Sequence, residues 1–137
     1  MTAVAILIST MALVLSCSGV FKAIRDTLVH HFDDSIFSDF NRQFWDGRIS
    51  PANKWKNGDK AQGERFFLSS TLLVGFTDGW HMMGMIQEFL WQFAFATWIC
   101  VALNQKWYFI MVILFAIKFV YDCSFHFPYT YWFIKKK

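Results

Sequence analysis

The charged residues of this 137-residue chain are distributed very unevenly, and this distribution constrains the fold more than any other feature. Residues 1–21 carry no charged side chain, and residues 66–134 carry only five. Residues 22–65, which lie between these two apolar blocks, carry eight basic and seven acidic side chains. Because about 20 consecutive apolar residues cross the hydrocarbon core of a bilayer as a helix, each apolar block is long enough to supply membrane spans.

The composition excludes the other common classes of protein. Charged residues make up 17% of the chain, compared with about 25% in soluble domains, whereas hydrophobic residues make up 55%. With so little polar surface, an ordinary soluble enzyme is excluded, and the aromatic content of 20% excludes disorder and a coiled coil. A net charge of +3 on so apolar a chain does not suggest nucleic acid as a partner.

These observations predict an all-α, polytopic membrane protein with three or four transmembrane helices in a single membrane domain. Residues 1–21 are predicted to form the first transmembrane helix. Residues 22–65 are predicted to form an insert with an interfacial helix and a polar loop, and residues 66–134 two or three further spans. The later spans are expected at Phe66–Met83, Ile86–Leu103 and Trp107–Tyr121. Because a basic amino-terminal region is missing, we expect residues 1–21 to be retained rather than cleaved as a signal peptide.

The insert combines an amphipathic segment with a basic, aromatic one. Apolar residues between Phe21 and Phe40 recur at close to helical spacing, which predicts that the first helix continues or bends along the membrane surface. Tryptophan among basic residues, as at positions 45 and 55, is typical of the headgroup layer. We therefore expect three basic side chains of this region to bind an anionic lipid headgroup: Lys54, Lys56 and Arg65.

Asp78 and His81 are the strongest candidates for chemistry. An ionised carboxylate inside a membrane span costs at least about 2.5 kcal/mol, so a partner, a metal or protonation must offset it. The two residues are three positions apart and would share one face of a helix, where they could act as catalytic groups or as two ligands of a metal.

Two residues of the insert, His30 and Asp34, could complete a metal site with Asp78 and His81. Two imidazoles and two carboxylates suit Zn, Mn or Fe, and such a divalent metal would activate a water molecule. If Asp78 is a ligand or a proton carrier, Asp78→Asn should abolish function. If it is a packing residue, the substitution should be tolerated.

One stretch of the sequence resembles a known group of proteins. The pattern Lys54-Trp55-Lys56-Asn57-Gly58-Asp59, followed by Thr77-Asp78-Gly79-Trp80-His81, resembles a set of small uncharacterised bacterial and phage integral membrane proteins. No activity is assigned to that set, so the resemblance implies only the membrane class and that the insert and the Asp78–His81 pair belong to one unit. We expect the chain to lie in a bacterial inner (cytoplasmic) membrane.

Three functions fit these patterns. The first is a metal-dependent hydrolase acting on a lipid or a lipid-linked substrate. The second is a non-catalytic accessory subunit that packs against other membrane protein subunits, and the third is a homo-oligomer that conducts protons or ions with Asp78 as a titrating group. The sequence alone leaves open whether the chain is an enzyme.

The distribution of basic residues also predicts the topology. Cytoplasmic loops are enriched in Lys and Arg, so residues 22–65 and the carboxyl terminus should both be cytoplasmic, which requires three spans rather than four. Cysteines introduced at positions 57 and 136, in a background without the three native cysteines, should be protected equally from an impermeant thiol reagent in intact cells. Labelling of these two positions from opposite sides of the membrane would contradict the topology and restore four spans.

Overall fold

Residues 3–128, which are those that the computed structural model describes, are helical and contain no β-strand. This confirms the all-α class for the described range. The α-helices are three long ones and one single turn: α1 Ala3–His30, α2 Arg42–Trp45, α3 Gly79–Ala102 and α4 Phe109–Pro128. Short 3-10 turns make up much of the remainder, at Phe32–Asp34, Ile36–Asp39, Ser50–Lys54, Lys56–Gly58, Lys60–Gln62 and Val74–Phe76.

Two of these helices are long and apolar enough to cross a membrane. They provide the segments Leu7–His30, within α1, and Gly79–Ala102, which is all of α3. The apolar part of α4, Phe109–Tyr121, is shorter than a span requires. The structure therefore supports two candidate spans, and the predicted third and fourth are not confirmed.

The prediction of a span at Phe66–Met83 is wrong. Residues 66–78 form turns, and α3 begins only at Gly79. Leu68 has a positive φ of 56°, which no α-helix contains. The gap expected between the spans Phe66–Met83 and Ile86–Leu103 is also absent, because α3 runs through positions 84 and 85 without interruption.

The first helix continues beyond Phe21, as predicted, but it does not reach Phe40. Helix α1 ends at His30, where the Gly47 N–H donates to the carbonyl oxygen of Leu28 at 2.9 Å. This bond satisfies one of the carbonyl groups that a helix end leaves unpaired. A β-carbon at position 47 would lie 2.8 Å from Val29, so the close approach requires glycine.

The chain divides into two compact units. One comprises residues 15–89, and the other comprises the described residues before 15 and after 89. The unit of residues 15–89 contains the end of α1, the beginning of α3 and, between them, the polar segment 31–78, which we call the headpiece. Leu28 and Phe32 are almost completely buried at its base.

An ionic network organises the headpiece around the buried carboxylate of Asp46. Arg48 donates to this carboxylate from its backbone N–H, its Nε and its Nη2 atoms at 3.1, 2.8 and 2.7 Å. Arg42 donates to it from Nε at 3.1 Å. Asp33 then bridges the Nη2 atoms of both arginines. The network joins the turn after α1 to the segment 42–48.

Within the headpiece, a second set of hydrogen bonds links residues 43–64 to residues 66–78, which lead into α3. The buried amide of Asn53 donates to the carbonyl oxygens of Gln43 and Thr77 at 2.7 and 3.2 Å, and its Oδ1 atom accepts from the Gln43 side chain at 2.6 Å. The Glu64 carboxylate accepts from the backbone N–H groups of Leu68 and Ser70, each at 3.1 Å. These bonds hold residues 66–78 as ordered turns.

The Asp46 network makes a prediction about acid stability. The hydrogen bond from Arg48 is the main cause that lowers the pKa of Asp46 from 3.8 to about 2. Because the folded-state pKa is the lower one, the stabilisation is complete above pH 3.8 and is lost as the pH falls towards about 2. Thermal unfolding in detergent should show that Asp46→Asn reduces stability at neutral pH and flattens its dependence on pH below 3.8. The exposed Asp39→Asn serves as the matched control, and equal pH profiles for the two variants would contradict the assignment.

Candidate functional site

Asp78 and His81 meet at the amino-terminal end of α3, as their spacing predicts. The Nδ1 atom of His81 lies 2.6 Å from Oδ2 of Asp78, and the backbone N–H of His81 donates to Oδ1 at 2.9 Å. The Thr77 hydroxyl lies 2.8 Å from Oδ2. The carboxylate has no exposed surface, whereas the His81 side chain is 17% exposed.

The geometry makes Asp78 the N-cap of α3. Its backbone carbonyl accepts the first helical N–H, from Met82 at 3.0 Å, and its side chain accepts the N–H of the third helical residue. Both are the bonds by which an aspartate starts a helix. The negative charge also lies at the positive end of the helix dipole, which stabilises it there. The expectation of an acid deep within a span is therefore wrong, because α3 starts beside Asp78.

The surroundings of Asp78 keep it ionised. Burial acts to raise its pKa and is the largest single influence. The ring and backbone N–H groups of His81, together with the Thr77 hydroxyl, outweigh burial, so that the pKa lies below its ordinary value of 3.8. An ionised carboxylate can only accept hydrogen bonds, so Nδ1 of His81 carries a proton in the pair.

The turn into α3 depends on a glycine. A β-carbon at position 79 would lie 2.5 Å from Cε3 of Trp45, so only glycine allows the indole to pack against this turn. The Trp45 ring in turn stacks on Phe37, with centroids 5.7 Å apart. Aromatic packing of the headpiece therefore fixes the position at which Asp78 caps the helix.

His30 and Asp34 do not join Asp78 and His81 in a metal site. His30 ends α1 and Asp34 lies in the first 3-10 turn, and both are exposed. Among the side chains that the structure describes, no three His, Cys, Asp or Glu residues form a group that could hold a metal ion. The structure brings together the pair and not the four-residue set, and the metal itself stays a prediction.

The three predicted headgroup-binding residues lie in one short ribbon. The Lys56 N–H donates to the Gly63 carbonyl, and the Arg65 N–H donates to the Lys54 carbonyl, each at 3.0 Å. This antiparallel pairing places the three basic residues on neighbouring backbone segments. Lys60, which is not among the predicted residues, lies in the same ribbon. Its Nζ atom is 5.8 Å from the centre of the Trp55 ring, and Nζ of Lys54 is 5.7 Å from the same centre.

Comparison with protein-family models, with curated protein sequences and with solved structures found no match. The resemblance of the Lys54–His81 pattern to small bacterial and phage membrane proteins therefore stays a prediction.

The cap assignment predicts a graded loss of stability. Asn can still accept the His81 N–H, so Asp78→Asn should cost only about 1 kcal/mol of unfolding free energy. Asp78→Ala removes the cap and leaves a buried ring N–H without an acceptor, which should cost roughly 1–3 kcal/mol more. Thermal unfolding in detergent should rank wild type above Asp78→Asn and Asp78→Asn above Asp78→Ala, with the exposed Asp34→Ala near wild type. An Asp78→Ala variant as stable as wild type would show that the carboxylate is not the cap that the helix requires.

Proposed function

We propose that this chain is an integral membrane protein that acts as a non-catalytic accessory subunit of a larger membrane protein assembly. In this proposal α1 and α3 cross the membrane and hold the headpiece at its surface. The burial pattern of α3 is the observation that carries the proposal. Its small residues Ala94, Ala96 and Cys100 are at most 3% exposed, whereas four of its aromatic residues are 43–53% exposed: Phe89, Trp91, Phe95 and Trp98.

This pattern is the reverse of that in a water-soluble protein. In water, large apolar side chains are the ones that burial stabilises most. In a bilayer, small residues mediate close packing between helices, and large apolar side chains can face lipid or another subunit at no cost. Outward-facing apolar residues also follow α1, where Ile8, Leu13 and Val20 are each more than half exposed.

The aromatic side chains of α3 favour a protein partner over lipid alone. Trp91, Phe95 and Trp98 follow one another at intervals of four and three residues, which places them on one face, and they are 43–50% exposed. The rings of Phe95 and Trp98 are stacked, with centroids 5.8 Å apart and planes at 19°. We call these three residues the aromatic stripe. A preformed, rigid aromatic surface is typical of the residues that dominate protein interfaces.

The Asp78–His81 pair favours one further candidate, the metal-dependent hydrolase of a lipid or lipid-linked substrate. The carboxylate holds Nδ1, and among the described side chains and backbone no group forms a hydrogen bond with Nε2 of the partly exposed ring. A neutral His81 would offer this nitrogen as a metal ligand or a general base, an orientation that carboxylates often impose on histidine. Ion conduction, the third expectation, has no comparable support from the arrangement.

One set of purified proteins tests the accessory role. Replacing the aromatic stripe with leucine (Trp91→Leu, Phe95→Leu, Trp98→Leu) keeps the helix apolar, so insertion should be unchanged, but partner packing should be lost. Native mass measurement in mild detergent should give a mass well above 16.1 kDa for wild type and only the single chain for the triple variant. The matched control on α4, Phe115→Leu with Phe119→Leu, should keep the larger mass.

Two outcomes would contradict the accessory role. In the first, the wild-type chain runs as a single copy under every mild extraction condition. In the second, wild type carries about one equivalent of Zn, Mn or Fe that His81→Ala loses, a result that would replace the accessory role with the hydrolase.

A further inference from the structure

A cavity of about 370 Å³ lies between the end of α1 and the start of α3, within the unit of residues 15–89. Here the two helices run antiparallel, because Ser18 contacts Gln87 and Arg25 contacts Trp80. Lys22, Arg25 and His30 contribute basic side chains to the lining, and Asp26 is the only acid among its described lining residues. The cavity is distinct from the Asp78–His81 pair and from the ribbon of Lys54, Lys56 and Arg65.

Arg25 carries the positive charge of the cavity that no acid neutralises. Lys22 is already paired with Asp26, with Nζ 2.7 Å from Oδ2. Arg25 forms no salt bridge within the described chain. Its Nη1 atom makes one long hydrogen bond, 3.4 Å to Oε1 of Gln87, and its buried Nε atom makes none. A guanidinium group has five N–H donors, so most of its capacity is unused.

The protein nevertheless holds this guanidinium in a fixed position. It lies on the face of the Trp80 ring, with Cζ 4.4 Å from the ring centre, and a β-carbon at position 84 would approach Cζ to 3.3 Å. The Gln87 side chain is itself oriented by a bond of 3.2 Å to the hydroxyl of Ser18. Arginine positioned in this way is suited to recognising a phosphate group.

The length of α1 places the cavity at the depth of lipid headgroups, provided that the proposed membrane location holds. A helix of 28 residues is about 42 Å long, whereas the hydrocarbon core is about 30 Å thick. The excess of about 12 Å corresponds to roughly eight residues, which matches the charged end of α1 from Lys22 to His30. The cavity therefore opens among the phosphates of one leaflet.

We propose that this cavity binds the phosphate group of an anionic lipid, with Arg25 as the principal ligand. One phosphodiester charge would balance the one unneutralised cation. Arg25 covers the face of Trp80 on which a choline group could otherwise lie, and the positive charges of Lys22 and Arg25 would repel choline. An anionic headgroup such as that of phosphatidylglycerol should therefore bind better than that of phosphatidylcholine.

Native mass spectrometry of the full chain, titrated with either lipid in detergent, tests the site. Wild type should retain phosphatidylglycerol in preference to phosphatidylcholine. Arg25→Gln should weaken this retention by about tenfold or more, the loss expected for charged hydrogen bonds. The control, Lys106→Gln, removes an exposed charge outside the cavity and should stay within about twofold of wild type.

Gln87→Glu is a second variant that does not depend on removing Arg25. The new carboxylate would lie beside Nη1 and would neutralise Arg25 within the protein. The Ser18 hydroxyl, which accepts from the Gln87 amide in wild type, could turn to donate to this carboxylate. We therefore expect a folded chain with a similar loss of phosphatidylglycerol. Unchanged lipid retention in Arg25→Gln and Gln87→Glu, or an equal loss in Lys106→Gln, would overturn the proposal.

Two further measurements test, independently, whether the bound phosphate belongs to a lipid and whether the chain lies in a membrane. Displacement of phosphatidylglycerol by millimolar inorganic phosphate would assign the cavity to free phosphate and overturn the lipid assignment, whereas resistance to it supports the lipid. Extraction of membranes with alkaline carbonate tests the premise. A released chain would refute the membrane location, whereas a retained chain with Arg25-independent lipid binding would refute only the cavity's role.

Discussion

The carboxylate of Asp78 determines where α3 begins, and the arrangement of the unit of residues 15–89 depends on that position. The group is completely buried, so every hydrogen bond that it loses would leave a charge without compensation. It accepts from the backbone and the ring of His81 and lies close to the Thr77 hydroxyl. Because these donors come from one turn of chain, the carboxylate can be satisfied only if the helix starts at Gly79. A start even one residue later would leave the anion facing the wrong N–H groups.

Contacts from the headpiece then hold this turn in place. Asn53 donates to the carbonyl of Thr77, and the Trp45 ring packs against the bare backbone of Gly79. At the other end of the headpiece, Gly47 donates to the carbonyl of Leu28 in the last turn of α1. The end of α1 and the start of α3 are thus tied to the same short segment, residues 45–53. This arrangement explains why the charged end of α1 meets Trp80 and Gln87 with enough precision to fix a guanidinium between them.

The sequence predicts the helical class and the apolar segments well, but it misplaces the start of α3. Composition and charge distribution are sums over many residues, so they identify α1, α3 and α4 in outline. The prediction of a span at Phe66–Met83 rests on the apolar character of this stretch, yet the backbone of residues 66–78 is fixed by distant groups. Ser69 donates to the carbonyl of Lys54, and Thr77 accepts from Asn53, bonds that span 15 and 24 positions. No local pattern reveals such partners.

The candidate site was predictable in part. Asp78 followed by Gly79 and, at the third helical position, His81 is a recognisable helix start, and reading it so would have placed Asp78 at a helix terminus rather than within a span. The pairing of Asp78 with His81 follows from their spacing alone. The position of Arg25 against Trp80, by contrast, depends on residues 55 positions apart, and local periodicity carries no information about it. Asp34 lies beyond the end of α1, in a 3-10 turn, so helical spacing along α1 does not predict its position.

The two groups of basic residues should interact with a membrane in different ways. Lys56, Lys60 and Arg65 are exposed, so each keeps its hydration and adds about 1 kcal/mol of unspecific attraction to an anionic surface, an energy that salt screens. Arg25 is partly buried and held by an aromatic face and an amide. Its side chain has already lost most of its freedom, so little further entropy is lost when an anion binds. The exposed cations can therefore attract anionic lipids in general, whereas only Arg25 has the fixed geometry needed to select among their headgroups.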